Sequence, residues 1–496
     1  MKFKVKDMDI RTGGALISII NEKDAKKFDL HTHNHIKITK GKRIETVIVD
    51  IAESKKAVPV GYIGLDEEVI DSLKVKQGDI VHVDVAGKPK SIYSIKKKLE
   101  GGKLIKSEID QIVWDIVHNK LGEIEITYFV SGCYIHGLDL NESINLTEAI
   151  VSHGDTLQIK GSKKVLDKHC SGGVPGNRTT MIVVPIMAAA GYHMPKTSSR
   201  SITSPAGTAD TMEVLCSVCI PVKKMKKIVE KIGACIVWGG AMNLAAADDK
   251  MIKVRHPLSI DPEGMLLASI LAKKKAVNST HVLIDIPVAH DTKIKTMKQA
   301  NHLKRKFKEI GHKVGMKIKV IITDGRQPIG FGIGPALEAK DVLYLLKGDE
   351  KAPQDLKKKS LHMAGILLEL AGAKEPKKLA KEILESGKAY EKMKEIIKAQ
   401  GGNPNIDPDK IPIGKFTYTF KSNKSGRITD INNIMISKIA RIAGAPEDQG
   451  AGIYLYQKEN NKVKKGEKLL TIYSDNMEKL DFAKEMLKKK DGIIIK

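Results

Sequence analysis

Two stretches of the chain collect the residue types that hold an oxyanion. The first is Asp167-Lys168-His169-Cys170-Ser171-Gly172-Gly173-Val174-Pro175-Gly176-Asn177-Arg178-Thr179-Thr180, followed by an apolar run from Met181. Glycines allow close backbone approach, and N–H groups at a helix start point at an anion. Lys168 and the neighbouring hydroxyls add charge and hydrogen bonds. The GKS/T ending of a Walker loop is missing. A bare Gly-Gly would read as an ordinary turn before a buried helix; Lys-His before it and hydroxyls on both sides favour anion binding. The second stretch is Lys196-Thr197-Ser198-Ser199-Arg200-Ser201-Ile202-Thr203-Ser204-Pro205-Ala206-Gly207-Thr208-Ala209-Asp210, in which seven hydroxyl residues surround one arginine. Such a loop suits phosphate and ribose oxygens, with Arg200 able to hold phosphate in a bidentate fork. It also suits the capping of a helix starting near Thr208, and both uses are compatible.

A third stretch, Arg255-His256-Pro257-Leu258-Ser259-Ile260-Asp261-Pro262-Glu263-Gly264, opens a helix that carries Ser269 and Lys273. Taken alone, Asp261 reads as the N-cap of that helix. Three weaker signals have plain explanations. His31-Thr32-His33-Asn34-His35 alternates imidazoles along an expected strand face but has no Cys or carboxylate partner nearby. Cys216-x-x-Cys219 lacks a second pair and reads as part of a buried helix face. Gly330-x-Gly332-x-Gly334 lacks the dinucleotide-binding spacing and reads as a tight turn. No metal is expected.

The two oxyanion stretches resemble the phosphate and sugar sites of the thymidine phosphorylase and pyrimidine-nucleoside phosphorylase family. That family carries an Asp-Lys-His-Ser-x-Gly-Gly-Val element, then a Ser-Gly-Arg-x-Leu loop ending in Gly-Gly-Thr-x-Asp. Lys97 to Gly102 and His136 to Asp139 resemble its helical domain. Thr323 to Gly330 with Leu337-Glu338 resembles its α/β domain, and Gly444 to Ile453 with Val463 to Glu467 its C-terminal β domain. The resemblance covers roughly residues 90 to 496. It departs at Cys170, where a phosphate-binding serine is usual, so that Ser171 or backbone groups must compensate. It departs again at Ser199, at Pro205-Ala206-Gly207, and in an additional β domain of about 85 residues at the start. These departures resemble an archaeal branch of the family.

That branch implies phosphorolysis of nucleoside 5′-monophosphates, AMP with CMP and UMP as further candidates, to free base and ribose 1,5-bisphosphate. The co-substrate is inorganic phosphate, with no cofactor. The resemblance places phosphate near Lys168, Gly173 and Thr208. It places the 5′-phosphate on Ser199, Arg200, Ser201, Ile202, Thr203 and Ser204, and the base against Ser269 and Asp261, in a cleft between helical and α/β parts. Asp261 aligns with the proton donor, since a leaving purine needs a proton that a carboxylic acid with a raised pKa can deliver. Lys293 is carried over as a nucleotide contact. A nucleoside phosphorylase without the 5′-phosphate site is the alternative within the family.

These residues must be positioned by several domains, because 496 residues exceed one ordinary domain. Residues 1–85 alternate apolar and polar in short runs such as Ile80-Val81-His82-Val83-Asp84-Val85 and predict a β-rich domain. Residues 86–163 read as helices: Ser107 with Asp110 marks one start, Leu140 to Ser143 a second and Asn145 to Glu148 a third, and Ile109, Ile112, Val113, Ile116 and Val117 form one apolar face. A returning segment near 255–275 joins them. Residues 164–415 alternate helices with strands at Ala234 to Trp238, Val282 to Ile286 and Lys319 to Thr323, predicting an α/β layer with mixed or parallel strands. Residues 416–496 are β-rich again. The fold class is thus α/β, a helical domain on a large α/β domain with β-rich domains at both ends.

Lys plus Arg number 84 against 59 Asp plus Glu, a formal net charge of +25, which makes a nucleic-acid-binding protein the alternative of another class. The excess is dispersed, however, in runs such as Lys96-Lys97-Lys98, with no stripe of Arg and aromatics. A lysine-rich solvated surface is favoured, and no specific nucleic-acid partner is expected. The start has no signal-like apolar core, and the apolar run from Met181 to Gly191 is too short to span a membrane. With five cysteines in no regular framework, a cytoplasmic location is expected, as is a homodimer or larger homo-oligomer.

Overall fold

The computed structural model describes residues 1–496 except 13–15, 88, 160, 162, 202, 203, 242–244, 259, 490 and 491. The chain folds as two compact units, Met1–Gly154 with Ala245–Ser269, and Asp155–Leu244 with Ile270–Lys496.

The first unit begins with a closed six-stranded barrel. Around it run Lys2–Asp7, Tyr62–Leu65, Ile17–Asn21, Arg43–Ala52, His35–Lys40 and Ile80–Val85, which pairs back with the first strand. The alternation read from sequence is the inside–outside pattern of this barrel: Val5, Ile36, Ile38, Val81 and Val83 are fully buried, while Lys4, Lys37 and His82 point to solvent. The imidazoles of residues 31–35 do not share a strand face, contrary to expectation. The strand starts only at His35, and His33 sits in a left-handed turn with φ of 68°.

Helices Ser91–Leu99, Lys106–Val117, Glu123–His136 and Leu140–Ser152 follow, and Ala246–Arg255 of the returning segment packs among them. The apolar face Ile109, Ile112, Val113 and Ile116 is buried as expected. Two starts differ. The second helix begins at Lys106, where the Glu108 carboxylate accepts the Ile105 N–H at 2.8 Å, so Ser107 is not its cap. Asn145 lies inside one continuous helix capped by Asp139, whose carboxylate accepts the Glu142 N–H at 2.9 Å. Glu142 in turn pairs with Lys98 at 2.8 Å, both side chains buried, and tethers the Leu104 N–H.

In the second unit Leu166–Cys170, His281–Val288 and Lys317–Asp324 form a three-stranded parallel sheet, and Met194–Ser198 pairs in parallel with Ala234–Trp238. Helix Thr179–Ala189 is apolar all round and packs against helices Gln354–Leu370 and Lys388–Ala399. Towards the C-terminus, antiparallel strands carry helices Asn433–Ile442 and Met477–Lys489. One strand of their sheet, Gly332–Ile333, comes from the turn read at Gly330 to Gly334. Among the described residues no helix is long and apolar enough to cross a membrane.

That turn is held by Asp341 on helix Pro335–Lys347. Its buried carboxylate accepts the N–H groups of Phe331 at 2.7 Å and Gly332 at 2.8 Å. Burial pushes Asp341 up to about 7 against the pull of those two N–H groups. The folded chain therefore keeps a proton that the unfolded chain, near the ordinary 3.8, has released. Stability linked to Asp341 falls as pH rises between these values and is level above them. Calorimetry should show Asp341→Asn gaining Tm relative to the wild type between pH 4.5 and pH 8; a constant difference would place the titration elsewhere.

Candidate active site

The carboxyl ends of parallel strands are the usual place for a ligand in an α/β layer, and the oxyanion stretches begin there. Lys168, two residues before the end of its strand, is 1 % exposed. Its ammonium donates to Thr179 Oγ1 at 2.6 Å and Thr180 Oγ1 at 3.4 Å, the residues that open the apolar helix. The pairing of Cys170 with Asp285, and of Pro287 with Thr323, puts Lys168, Cys170, Asp285 and Thr323 on one face of the sheet. Thr323 donates to Asp285 at 2.6 Å, and Lys359 lies 3.3 Å from its other oxygen. Burial lowers the Lys168 ammonium, while Cys170 and Asp285 counteract. On the opposite face Asp167 pairs with Lys196 at 3.1 Å and Lys274 at 2.8 Å, which hold it ionised against its burial. His169, half-buried near four lysines, is pushed well below its ordinary value by desolvation and those charges, and is neutral.

The turn after this strand needs glycine. Gly173 has φ of 93°, and a Cβ there would stand 2.8 Å from the Lys293 nitrogen. At Gly176 a Cβ would lie 2.0 Å from the Ile329 carbonyl oxygen. The Ser171 and Ser198 hydroxyls, at the ends of two parallel strands, are buried with no hydrogen-bond partner among the described residues. Such orphans are uncommon in folded proteins, and a water, an ion or a ligand is what completes them. Arg178 ties the two loops together. Its Nε donates to the buried Glu338 carboxylate, Nη1 to Thr208 Oγ1 at 3.1 Å and Nη2 to the Ala206 carbonyl at 2.6 Å. Glu338 also accepts from Thr211 and from the Gly334 N–H, both at 3.1 Å.

The second loop is shaped by Asp210, whose carboxylate accepts the N–H groups of Ser201 at 2.7 Å and Gly207 at 2.8 Å. Ser199 is exposed, Ser204 donates to the Ala206 carbonyl at 3.0 Å, and Thr208 opens helix Thr208–Glu213. The bidentate fork expected of Arg200 for phosphate is engaged within the protein: it grips Glu213, reaches Asp210 at 3.2 Å and stacks over Trp238. Ile202 and Thr203 lie outside the described residues. The Cys216-x-x-Cys219 segment is not a helix face; it follows that short helix as a turn, with Cys216 buried and Cys219 exposed.

Gly173, Ser204 and the exposed Lys293 line a cavity of about 680 Å³ whose other wall is helix Asn433–Ile442, with Asn433, Lys438 and Arg441. Lys438 and Arg441 were not read from the sequence as site residues. Their signal is an i, i+3 pair of cations in a helix far along the chain, which is ordinary for a lysine-rich protein.

Asp261 and Ser269 belong to the first unit. Helix Glu263–Ala276 begins two residues after Asp261, whose carboxylate lies 3.6 Å from Arg255. Arg255 is 5 % exposed, stands 3.8 Å from Asp248, and its Nε and Nη1 have no hydrogen-bond partner among the described residues. Ser269 donates to Asp248 at 2.6 Å. Asp261 is therefore the partner of an underused buried guanidinium, a geometry richer than a helix cap.

Glu338→Gln keeps the shape and removes the charge that neutralises Arg178. Breaking a buried pair on one side costs about 3–5 kcal/mol, somewhat less where the substitute still accepts a hydrogen bond. Urea unfolding of this variant should show a loss of that order. A loss within error would mean that Arg178 is adequately held by Thr208 and Ala206 alone.

Comparison with known proteins agrees with this architecture. The model of the glycosyl transferase family helical bundle domain matches residues 93–154, that of its a/b domain residues 162–390, and that of the pyrimidine nucleoside phosphorylase C-terminal domain residues 427–493. Anthranilate phosphoribosyltransferase from Thermus thermophilus shares the fold at a TM-score of 0.53 and 18% identity, over 62% of this chain and 99% of that one. The AMP phosphorylase of Thermococcus kodakarensis is 50% identical over 100% of this chain and 98% of its own length. That of Methanocaldococcus jannaschii is 44% identical over 97% and 95%, and AMP phosphorylase 1 of Archaeoglobus fulgidus 42% over 100% and 97%. With relatives this similar along their whole length, and with helical, α/β and C-terminal domains all matched in order, the chain belongs to the AMP phosphorylase family.

Proposed function

We propose that this chain phosphorolyses AMP, releasing adenine and forming ribose 1,5-bisphosphate. The observation that carries the reading is the set of buried polar groups at the strand ends, Lys168, Ser171 and Ser198, whose donors the protein does not saturate. An oxyanion completes them. An oxygen of inorganic phosphate forms a bond to C1′ of the ribose while the C1′–N9 bond breaks. The electron pair of that bond passes to adenine, which takes up a proton.

Lys168 and the N–H groups of the Gly172–Gly173 turn position the attacking phosphate, with Thr208 beside them. Holding nucleophile and sugar in line, and keeping water out, favours phosphate over hydrolysis. The loop Ser199 to Ser204 and Lys293 receive the nucleotide. Asp261 delivers the proton to the base and Ser269 contacts it, roles that rest on the family resemblance. CMP and UMP are further substrates in this reading. Inorganic phosphate is the co-substrate, and side-chain cations rather than a metal meet the negative charge. We place the enzyme in the cytoplasm, as a homodimer or larger homo-oligomer without a specific nucleic-acid partner.

Purified protein mixed with AMP should release adenine only when phosphate is added, at a rate unchanged by a chelator. Adenine release without phosphate, or none with it, would reject the reading. Asp261→Asn should lower kcat by about 10²–10⁴-fold, the usual contribution of a general acid, with little change in AMP affinity. If Asp261 serves only to pair with Arg255, the variant loses Tm while kcat of the folded protein stays near wild type.

A further inference from the structure

Resting on that reading, we propose that Lys438 and Arg441, on helix Asn433–Ile442, join Lys293 in holding the 5′-phosphate of the nucleotide. They thereby make the enzyme prefer a nucleotide over a nucleoside. The 680 Å³ cavity is built from four separate pieces of chain: the glycine turn at Gly173, the second loop at Ser204, the segment ending in Lys293, and one face of helix Asn433–Ile442. Residues three apart on a helix share a face, so Lys438 and Arg441 present their charges together.

The charge balance of this cavity is unusual for the chain. Lys293, Lys438 and Arg441 are exposed, and among the described residues none forms an ion pair. The carboxylate in the lining, Asp291, is buried and already accepts from the Asn433 N–H at 2.6 Å and from its Nδ2 at 3.1 Å. Three cations thus converge on one concavity with a single engaged carboxylate against them. A phosphomonoester dianion neutralises that surplus. Arg441 also reaches the second loop, donating to the Ser204 carbonyl at 3.1 Å and the Ser201 hydroxyl at 3.4 Å. The helix is therefore fastened to the loop that receives the nucleotide.

Inorganic phosphate has the same chemistry as the 5′-group, but its place is elsewhere. Lys168, the buried cation of the glycine turn, is not in the lining; its ammonium lies with Thr179 and Thr180. Two anion sites meet at Gly173, one beneath the turn and one beside it, which suits a reaction that brings two phosphates to one ribose.

The test uses Lys438→Ala and Lys438→Glu, because Lys438 makes no hydrogen bond or ion pair among the described residues and its loss leaves the fold intact. A charge-assisted contact to phosphate is worth enough that KM for AMP should rise about tenfold in Lys438→Ala and further in Lys438→Glu. KM for inorganic phosphate should change less than about twofold, since Lys438 is assigned to the other anion. Ribose 5-phosphate, which keeps the phosphate and lacks the base, should lose inhibitory strength in proportion to the rise in KM for AMP. Arg441→Ala should act in the same direction. The inference is overturned if both Lys438 variants keep the wild-type KM for AMP, if KM for phosphate rises instead, or if inhibition by ribose 5-phosphate is unchanged. Wild-type protein that releases no adenine from AMP overturns the underlying reading itself, a result distinct from any of these.

Discussion

A lysine ammonium with almost no exposed surface sets the terms for the second unit. Removing a charge from water is strongly unfavourable unless partners replace the solvent. Lys168 receives two threonine hydroxyls and the field of Asp285, itself held by Thr323 and Lys359. Those threonines open a helix, and a helix start carries partial positive charge. Lys168 stands near a strand end, before glycines that let the backbone approach, and on the proposed reading an incoming anion completes its surroundings. The Arg178–Glu338 pair serves the same end. It neutralises the next cation along the chain and ties the second loop in place.

Much of this was legible in local patterns. Strands Ala234–Trp238, His281–Val288 and Lys317–Asp324 lie where β-branched runs between turns put them, because strand formation there depends on side chains within a few residues. The glycine turn and the loop before Thr208 were likewise visible as composition. Pairings between distant residues were not. Arg178 and Glu338 are 160 positions apart, and nothing around either one in the sequence points to the other. Arg200 looked like an open phosphate fork because nothing in its own loop shows that Glu213, one helix later, would take it. The histidines at 31–35 looked like a strand face until a left-handed turn at His33 broke the alternation. Local periodicity predicts elements; it does not say which charges meet when they pack.

The surplus of positive charge follows the same division. Many lysines are paired within their own helices, such as Lys26 with Glu22, Lys226 with Glu230 and Lys381 with Glu385. Exposed pairs of this kind contribute a few tenths of a kcal/mol each, and roughly 0–1 at most. Each such pair cancels a lysine charge locally. Against this background, unpaired cations gathered around one cavity carry more meaning than the total charge does. The composition draws the eye to the sum, whereas recognition of a small dianion depends on where the residual charges converge.

Cys170 shows how a departure in the phosphate loop is absorbed. A thiol is a weak hydrogen-bond donor and acceptor, so exchanging a hydroxyl for it weakens a direct contact to phosphate. Burial and the nearby Asp285 push Cys170 up to about 11, which keeps it protonated and adds no negative charge to the site. Its sulfur accepts long contacts from the Gly172 N–H at 3.5 Å and Asn177 Nδ2 at 3.4 Å, so it acts as a spacer that orders the turn. The adjacent Ser171 hydroxyl is buried with no hydrogen-bond partner among the described residues, and the Ser171 N–H is fixed to the Asp285 carbonyl at 2.9 Å. On the proposed reading Ser171 supplies a hydroxyl one residue along the chain from the usual serine position. On the proposed reading the open hydroxyl of this loop is thus Ser171, two residues before Gly173, which lines the cavity.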